Sequence, residues 1–596
     1  MKRLSMLFLL TAVAGLVVGC GSDLSFEPGS YTGGAPGIHG EDVVVSVTVD
    51  RSSIKEIEIV ENHETPGVSD VAFERIPQAV IDGQTLNVDT VSGATYSSNA
   101  IIGAIEEALA AAGGDIAALR AGGDDENADA VTAATEVLNA DVVIIGAGGA
   151  GLSAAVAANE AGASVIVLEK MPQVGGNTII SGSAFNAVDP GRQEPLGIED
   201  SVDRHYEQTL AGGDYEGDPT LVRTLVENAY PTLEWLEAHG MEFDDHVFTV
   251  LGGLWPRAHH PVMPLGTGYI KTYMDYIEEH SDEITVLTET RAREIYLEGG
   301  RASVVNASGP DGTVVAQGHK AVIVATGGFG ASIELRERYN THWPSLAEIG
   351  TTNHPGATGD GLAMAEAVGA DLVGLEYIQL LPMGDPVTGS LSGNIEQAVE
   401  NRIFVNKDGN RFVDEGARRD VMTRALFDQE DSFMWIVLDS HNYPTMDTTN
   451  NFNETIQELV DQGRALMADS LEELAVQMDV DPDNLVAAVA AFNEAVETGG
   501  PDEFGRTLFQ YRIDTPPYFA GGRKPTVHHT MGGIRINERA QVLDTDGTVI
   551  PGLYAAGETT GGIHGTNRLG GNALVDVNVF GRIAGTNAAA EQPTAE

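Results

Sequence analysis

Apolar and polar residues alternate most clearly in two places near the N-terminus, Val43 to Val49 and Ile54 to Val60, and this period predicts a pair of strands. The alanine-rich stretch from Ser98 to Ala112 predicts a helix beside them. Further on, Asp141-Val142-Val143-Ile144-Ile145 predicts a short buried strand, followed at once by a glycine-rich turn and an alanine-rich helix. A second such strand, Ser164 to Leu168, ends in Glu169, and a third, Val322 to Val324, runs into Ala325-Thr326-Gly327-Gly328. Thr358-Gly359-Asp360-Gly361 heads another helix. Beyond it the pattern predicts a hairpin (Ile403 to Asn406, then Arg411 to Val413) and helices near 453–477 and 482–497, whose apolar spacing is that of core-facing helices. Gly552 to Ala573 is different: a glycine-rich run with one arginine, Arg568, and one glutamate, Glu558, entered from an apolar segment.

Composition narrows the class. The 596 residues suffice for roughly three or four domains, and 42% hydrophobic content fits globular α/β material. A formal net charge of −55 repels a phosphate backbone, so nucleic acid is not an expected partner. Cys20 is the single cysteine, which excludes disulfides, iron–sulfur clusters and zinc–thiolate sites within one chain. Electron transfer, if it occurs, must use organic cofactors, and nothing in the sequence argues for a metal. Residues 1–20 combine Met1-Lys2-Arg3 with an apolar run from Leu4 to Val18, too short for a mature membrane span. Val17-Val18-Gly19-Cys20 resembles the lipobox of bacterial lipoproteins, which implies lipidation of Cys20 and an extracytoplasmic protein anchored by lipid to the cell membrane.

Between the first strands and the first helix stands Asp89-Thr90-Val91-Ser92-Gly93-Ala94-Thr95. As a helix N-cap this string is longer than needed. It resembles the FMN-binding domain of respiratory flavoproteins, which implies FMN joined covalently through its phosphate to Thr95 by a flavin transferase, with Asp89 and Ser92 as motif partners. The FMN-binding domain is expected over residues 21–113 and an acidic linker over 114–138, where no apolar period is evident.

The turn after the strand at Asp141 to Ile145 reads G-A-G-G-A-G, so Gly146, Gly148 and Gly151 fit a dinucleotide-binding fingerprint, with Glu169, 18 residues on, placed to accept ribose hydroxyls. Gly175-Gly176-Asn177-Thr178 and Ser181-Gly182-Ser183-Ala184 resemble the second FAD contact of fumarate reductase and succinate dehydrogenase flavoproteins. That resemblance implies FAD contacts at Gly176, Asn177, Thr178, Gly182 and Ser183, then at Thr326 and Gly327, and at Asp360 on the flavin side. No histidine lies between Gly175 and Ala187, so FAD is expected to be non-covalent. The implied fold is α/β: a Rossmann-like FAD-binding domain in two parts (139–375 and 528–596), an inserted α+β clamp (376–527), and the small α+β FMN-binding domain.

The soluble fumarate reductase and urocanate reductase branch supplies the remaining expectations. Arg411-Phe412-Val413-Asp414-Glu415 precedes Arg419, which matches the branch's proton-donating arginine; Glu396 matches its relay glutamate with the spacing one residue off, and Arg402 and Arg418 stay open as the second relay arginine. An arginine serves as acid when a carboxylate relay feeds it in a dry pocket. His528-His529-Thr530-Met531-Gly532-Gly533 implies His528 against FAD and His529, with Arg568, on the substrate carboxylate. Glu558, Ala573 and Leu574 are implied FAD contacts. Gln379 and Leu381 fall in the segment that contacts substrate, but Leu381 stands where the branch has a histidine for a second carboxylate. A buried carboxylate facing leucine lacks compensation.

The expected activity is therefore hydride transfer from FAD to the C=C of an α,β-unsaturated mono-acid, urocanate-like or another aryl or alkyl acrylate, with Arg419 protonating the α-carbon. Electrons would come from a membrane quinol dehydrogenase or cytochrome through FMN. Fumarate reduction, a dehydrogenase of the 3-ketosteroid type and a non-catalytic electron carrier are the rival readings.

Overall fold

The computed structural model describes residues 25–37, 42–64, 67–91, 94–121 and 134–593. The N-terminal segment with Cys20, and Ser92, lie outside the described residues, as do residues 122–133 of the expected linker. Thr95 begins a helix, but its side chain is likewise outside the description.

The first unit is a three-stranded antiparallel sheet, Gly29–Pro36, Asp42–Val49 and Ile54–Glu61, in that order. Val43, Val45, Val47 and Val49 are buried in turn, so the alternation read from sequence is the alternation of the pleat. The helix Thr95–Ala111 lays Ile101, Ala104, Ile105 and Ala108 on this sheet. A second helix, Asp70–Gly83, was not legible because Pro77 interrupts it, although Ala72, Ile76 and Val80 recur at helical spacing and are all buried.

The expected linker is corrected at both ends. Ile116–Ala121 is helical, with Leu119 buried in the first unit and its carbonyl accepting from Leu86 N at 2.9 Å. At the other end, residues 134–140 extend the dinucleotide strand to Ala134–Ile145, where Ala134 to Ala140 pair in parallel with Gly312 to Gly318. Alanine, threonine and acidic residues hid both pieces, since neither period stands out in so polar a stretch.

The large domain is an eight-stranded sheet whose centre is parallel: Gly312–Val324, Ala134–Ile145, Val165–Leu168 and Ile284–Leu287 are neighbours in that order, with Val549–Ala555 parallel to Val322–Val324. The helix Gly149–Glu160 packs against the last helix, Asn572–Ala589, so closely that a Cβ on Gly585 would lie 2.2 Å from the carbonyl oxygen of Ala154.

The inserted unit is built on the 13-residue strand Tyr518–Thr530. Its first half pairs with Met434–Asp439 and Leu466–Ala468; its second half pairs with Gly350–Thr351 and Ile378–Gly384 and ends in His528 and His529. The inserted and FAD-binding units are thus spliced by one continuous strand. Two expected elements differ. The hairpin at 403–413 is a three-residue strand with one bridge, Val405 to Arg411, because Arg411 turns inward to an ion pair. The helix at 453–477 is two helices, Ile456–Asp461 and Leu471–Met478, broken where Gly463 takes φ +69° before the strand Leu466–Ala468.

Candidate functional site

Two adjoining cavities share Asn177, Thr178 and Glu558 in their linings. The first includes Gly146, Gly148, Glu169, Gly176, Thr326, Gly327 and Asp360. Gly146 takes φ +103°, where a Cβ would also stand 2.4 Å from the Ala325 carbonyl oxygen, and a Cβ on Gly151 would stand 1.9 Å from the Gly146 carbonyl oxygen. Glycine at both positions lets the helix Gly149–Glu160 start hard against the strand end, with its N-terminus facing the cavity, as a pyrophosphate requires. Glu169 is buried; its two carboxylate oxygens accept from Ala147 N and Met171 N at 2.8 Å, and burial pushes its pKa up. Each oxygen keeps a lone pair for a ribose hydroxyl. Asp360 stands in this cavity and not in the second; it pairs with Lys170 at 3.1 Å and Arg291 at 3.0 Å, so it belongs to the Glu169 end and not to the flavin side where it was expected.

The second cavity, about 380 Å³, brings together Gly182, Ser183, Leu381, Glu396, Arg419, His528, His529, Arg568, Ala573 and Leu574. Chain segments almost 400 residues apart converge here because the strand Tyr518–Thr530 delivers the histidines and the loop before Asn572–Ala589 delivers Arg568. His529 and Arg568 are buried, and both His529 Nε2 and Arg568 Nε are without a partner among the described residues. Buried nitrogens of this kind are rarely left so, and an oxyanion is the partner they suit. Burial, then the Arg568 charge, hold the His529 pKa well below the usual histidine range; burial with Arg419 and Arg568 does the same to His528, whose Nδ1 lies 2.8 Å from Thr352 Oγ1. Arg568 itself is brought down to about 10 by burial, against the opposing carboxylates of Glu558 and Asp576.

Arg419 heads the helix Arg419–Phe427, fully inside. Its Nε donates to the Leu251 carbonyl at 3.0 Å and an Nη donates to Gln379 Oε1 at 3.1 Å. Burial lowers its pKa well below that of a free arginine, Arg568 lowers it further, and Glu396 opposes. An arginine so placed is a stronger acid than one in water. Gln379 does not line the cavity. Its amide nitrogen donates to Asn567 Oδ1 at 2.9 Å and to the Arg568 carbonyl at 2.7 Å, so its polar atoms are spent bracing both arginines and it is not a substrate contact.

Of the two arginines left open for the relay, burial and distance set Arg402 and not Arg418 beside Glu396. Arg402 is fully buried, with Nε 3.3 Å from Glu396 Oε2. Arg418 instead faces outward to Asp214 and Asp420. Residues that sequence reasoning missed include Asn567 and the buried pair His564 and Asp576 (3.1 Å), with the His564 ring 5.7 Å from that of His529. Asn567 lies in the G-T-N-R-L-G-G-N run and His564 just before it, a run legible as a site but not residue by residue, while Asp576 lies one turn into the helix that follows. One group among the described residues, Asp439, His441 and Asp514, has ligand atoms close enough for a metal ion, yet the Asp439 carboxylate already accepts from the backbone N–H groups of His441, Asp514 and Thr515.

The FAD binding domain family matches residues 141–574, and the FMN-binding domain family matches residues 37–110. The chain is 38% identical to the NADH:acrylate oxidoreductase of Vibrio harveyi over 95% of its own length and 61% of that protein's, and 37% identical to the urocanate reductase of Eggerthella lenta over 94% and 92%. Among solved structures it is similar to the open conformation of a flavocytochrome c3 fumarate reductase, with a TM-score of 0.61 and 34% identity, over 76% of this chain and 78% of that one. The chain belongs to the FAD-binding flavoprotein family of fumarate and urocanate reductases, with an FMN-binding domain ahead of the FAD-binding fold.

Proposed function

We propose that the protein reduces the C=C bond of an α,β-unsaturated monocarboxylate with an apolar aryl or alkyl end. The observation that carries this is the charge inventory of the second cavity: among the described residues Arg419 and Arg568 are the only arginine or lysine side chains that line it, and Glu396, Glu454 and Glu558 line it as well. One carboxylate is matched by Arg568 and His529. A second, as in fumarate, would meet Leu381, Met383 and the glutamates. Glu454 is taken up by Arg464, Gly393 N and Asn450, whereas Glu396 has Arg402 beside it at 3.3 Å and its Oε2 keeps no hydrogen-bond partner among the described residues. Phe248 and Phe452 line the same space, so the reading leans from urocanate toward other aryl or alkyl acrylates.

FAD, when bound, supplies the hydride. The chain's own residues do the rest: Arg568 and His529 hold the carboxylate and stabilise the charge that develops on it, and Arg419 gives a proton to the α-carbon. Glu396 and Arg402 then return a proton to Arg419. FMN carried covalently on Thr95 would feed electrons from a membrane quinol dehydrogenase or cytochrome. The head of Thr95–Ala111 fits its phosphate, since Ala94 offers no side-chain cap to the first-turn N–H groups. We also infer export, lipidation at Cys20 and flavin transfer to Thr95, on the sequence features given above.

The test is oxidation of reduced viologen by the purified protein against acrylate, cinnamate, urocanate and fumarate. Turnover of a monocarboxylate well above that of fumarate is expected. Fumarate as the best substrate would overturn the reading, and no turnover of any of the four would leave the steroid-dehydrogenase-like or electron-carrier readings in its place.

A further inference from the structure

The two flavin-binding units touch at a contact that the reaction itself does not explain. Arg75, on the helix Asp70–Gly83, donates from both Nη atoms to the two Glu289 oxygens, at 2.7 and 2.9 Å. Gln173 Nε2 donates to the Gly67 carbonyl. Val68 is packed against the core of the FAD-binding domain and lines the second cavity itself. Glu289 holds a left-handed backbone at φ +52°, unusual for a side chain with a Cβ, and such strain tends to persist where a site needs it. Its neighbours are the FAD lining: Glu289 N donates to the Met171 carbonyl and Thr290 N to the Glu169 carbonyl. Gln173 stands just ahead of Gly176, which lines the first cavity, and of Asn177 and Thr178, which line both.

On its other side the same segment reaches the FMN end. Ser97 Oγ, in the first turn of the helix that Thr95 begins, donates to the buried Glu64 carboxylate. Glu64 and Val68 are four residues apart, so their Cα atoms are separated by at most about 14 Å whatever path the chain takes between them.

We propose that this contact is the seat for electron transfer between the flavins: with Val68 in the cavity wall, Gly67 on Gln173 and Arg75 on Glu289, FMN at the head of Thr95–Ala111 reduces FAD directly. Each transfer takes one electron from reduced FMN and gives it to FAD; two transfers and two protons from solvent complete the reduction, and the external one-electron donor restores FMN. Electron tunnelling falls steeply with distance, so a docked arrangement needs no swing of the FMN-binding unit. A bidentate surface ion pair adds little affinity by itself but fixes the register of the two surfaces.

The inference rests on the proposed feeding of FAD by FMN at Thr95, and its test reads flavins without any enoate, so its failure is separable from that of the substrate reading. The full chain carrying both flavins, with FMN on Thr95 verified by mass, is prepared as Arg75→Glu, Glu289→Arg and the double exchange. FMN is reduced by reduced viologen, bleaching of FAD is followed by stopped flow, and hydrogen exchange is measured at residues 67–75. Each single reversal puts like charges face to face and should slow FAD bleaching about tenfold, with faster exchange at 67–75 and unchanged FMN reduction. The double exchange should restore both readouts. Wild-type bleaching in the single variants overturns the proposal, and so does a double exchange that recovers neither readout.

Discussion

Leu381 and Arg419 carry opposite lessons about single residues. Arg419 is buried between the Leu251 carbonyl and Gln379, with no carboxylate among the described residues in hydrogen-bond contact to hold its proton, so its removal should cost the whole of its acid catalysis. Arg419→Ala is expected to lower kcat by roughly three or more powers of ten while the FAD absorbance of the purified protein is kept. A variant with near-normal turnover would sink the assignment. Leu381→His adds a donor where a second carboxylate would lie, so the ratio of fumarate to cinnamate turnover should rise by about tenfold or more, the worth of one buried charge-assisted hydrogen bond. An unchanged ratio would show that Leu381 does not face the far end of the substrate. His529, Arg568 and Arg419 were legible because each sits in a run whose glycines or neighbouring charges are unusual. Arg402 was legible only as one of two candidates beside Arg418, since it approaches Glu396 through the irregular turn Val399–Asn401, which no period announces.

At the scale of elements, the Arg402–Glu396 pair rests on a buried ionic scaffold in the inserted unit. Glu415 is fully buried between Arg411 (2.7 Å) and Arg506 (2.7 Å), and Arg506 in turn donates to the carbonyls of Val399 and Arg402. The scaffold therefore fixes the segment that holds Arg402 against Glu396. Glu415→Gln leaves two buried guanidinium groups undercompensated and is expected to destabilise the fold by about 3–5 kcal/mol. The partly exposed pair of Arg418 and Asp214 makes the control, as Arg418→Ala should cost no more than about 1 kcal/mol. Urea midpoints of the two variants check both values, and equal midpoints would refute the distinction. The sequence pattern found strands and helices where one side is steadily apolar, as at Asp42–Val49 and Pro482–Thr498. It failed at Arg411, where a charged residue turns inward, and at Gly463, where a helix-like run is broken by one left-handed residue.

For the molecule as a whole, the acid limb of stability follows from histidines that folding keeps neutral. His205 and His354 are pushed down by burial, to about 3 and about 4, and His528 and His529 are held well below the usual range for the same reason. An unfolded histidine titrates at about 6.5. Between that value and the folded ones, the unfolded chain binds more protons than the folded chain, so stability is fully present above about pH 6.5 and is lost as pH falls. Each histidine contributes a slope of up to about 1.4 kcal/mol per pH unit over its window. Glu169 and Glu558 act in the opposite sense, because burial raises their folded pKa and their stabilisation is present at low pH and lost as pH rises. Four histidines outweigh two glutamates, and Asp189 and Asp200, both lowered by their partners once burial is overcome, add to the acid-side loss. The urea midpoint of the full chain should therefore climb from pH 4.5 to pH 6.5 and then level. A midpoint that is flat or falls over that interval would mean that these histidines are protonated in the folded protein, and with them the neutral His529 on which the carboxylate site depends.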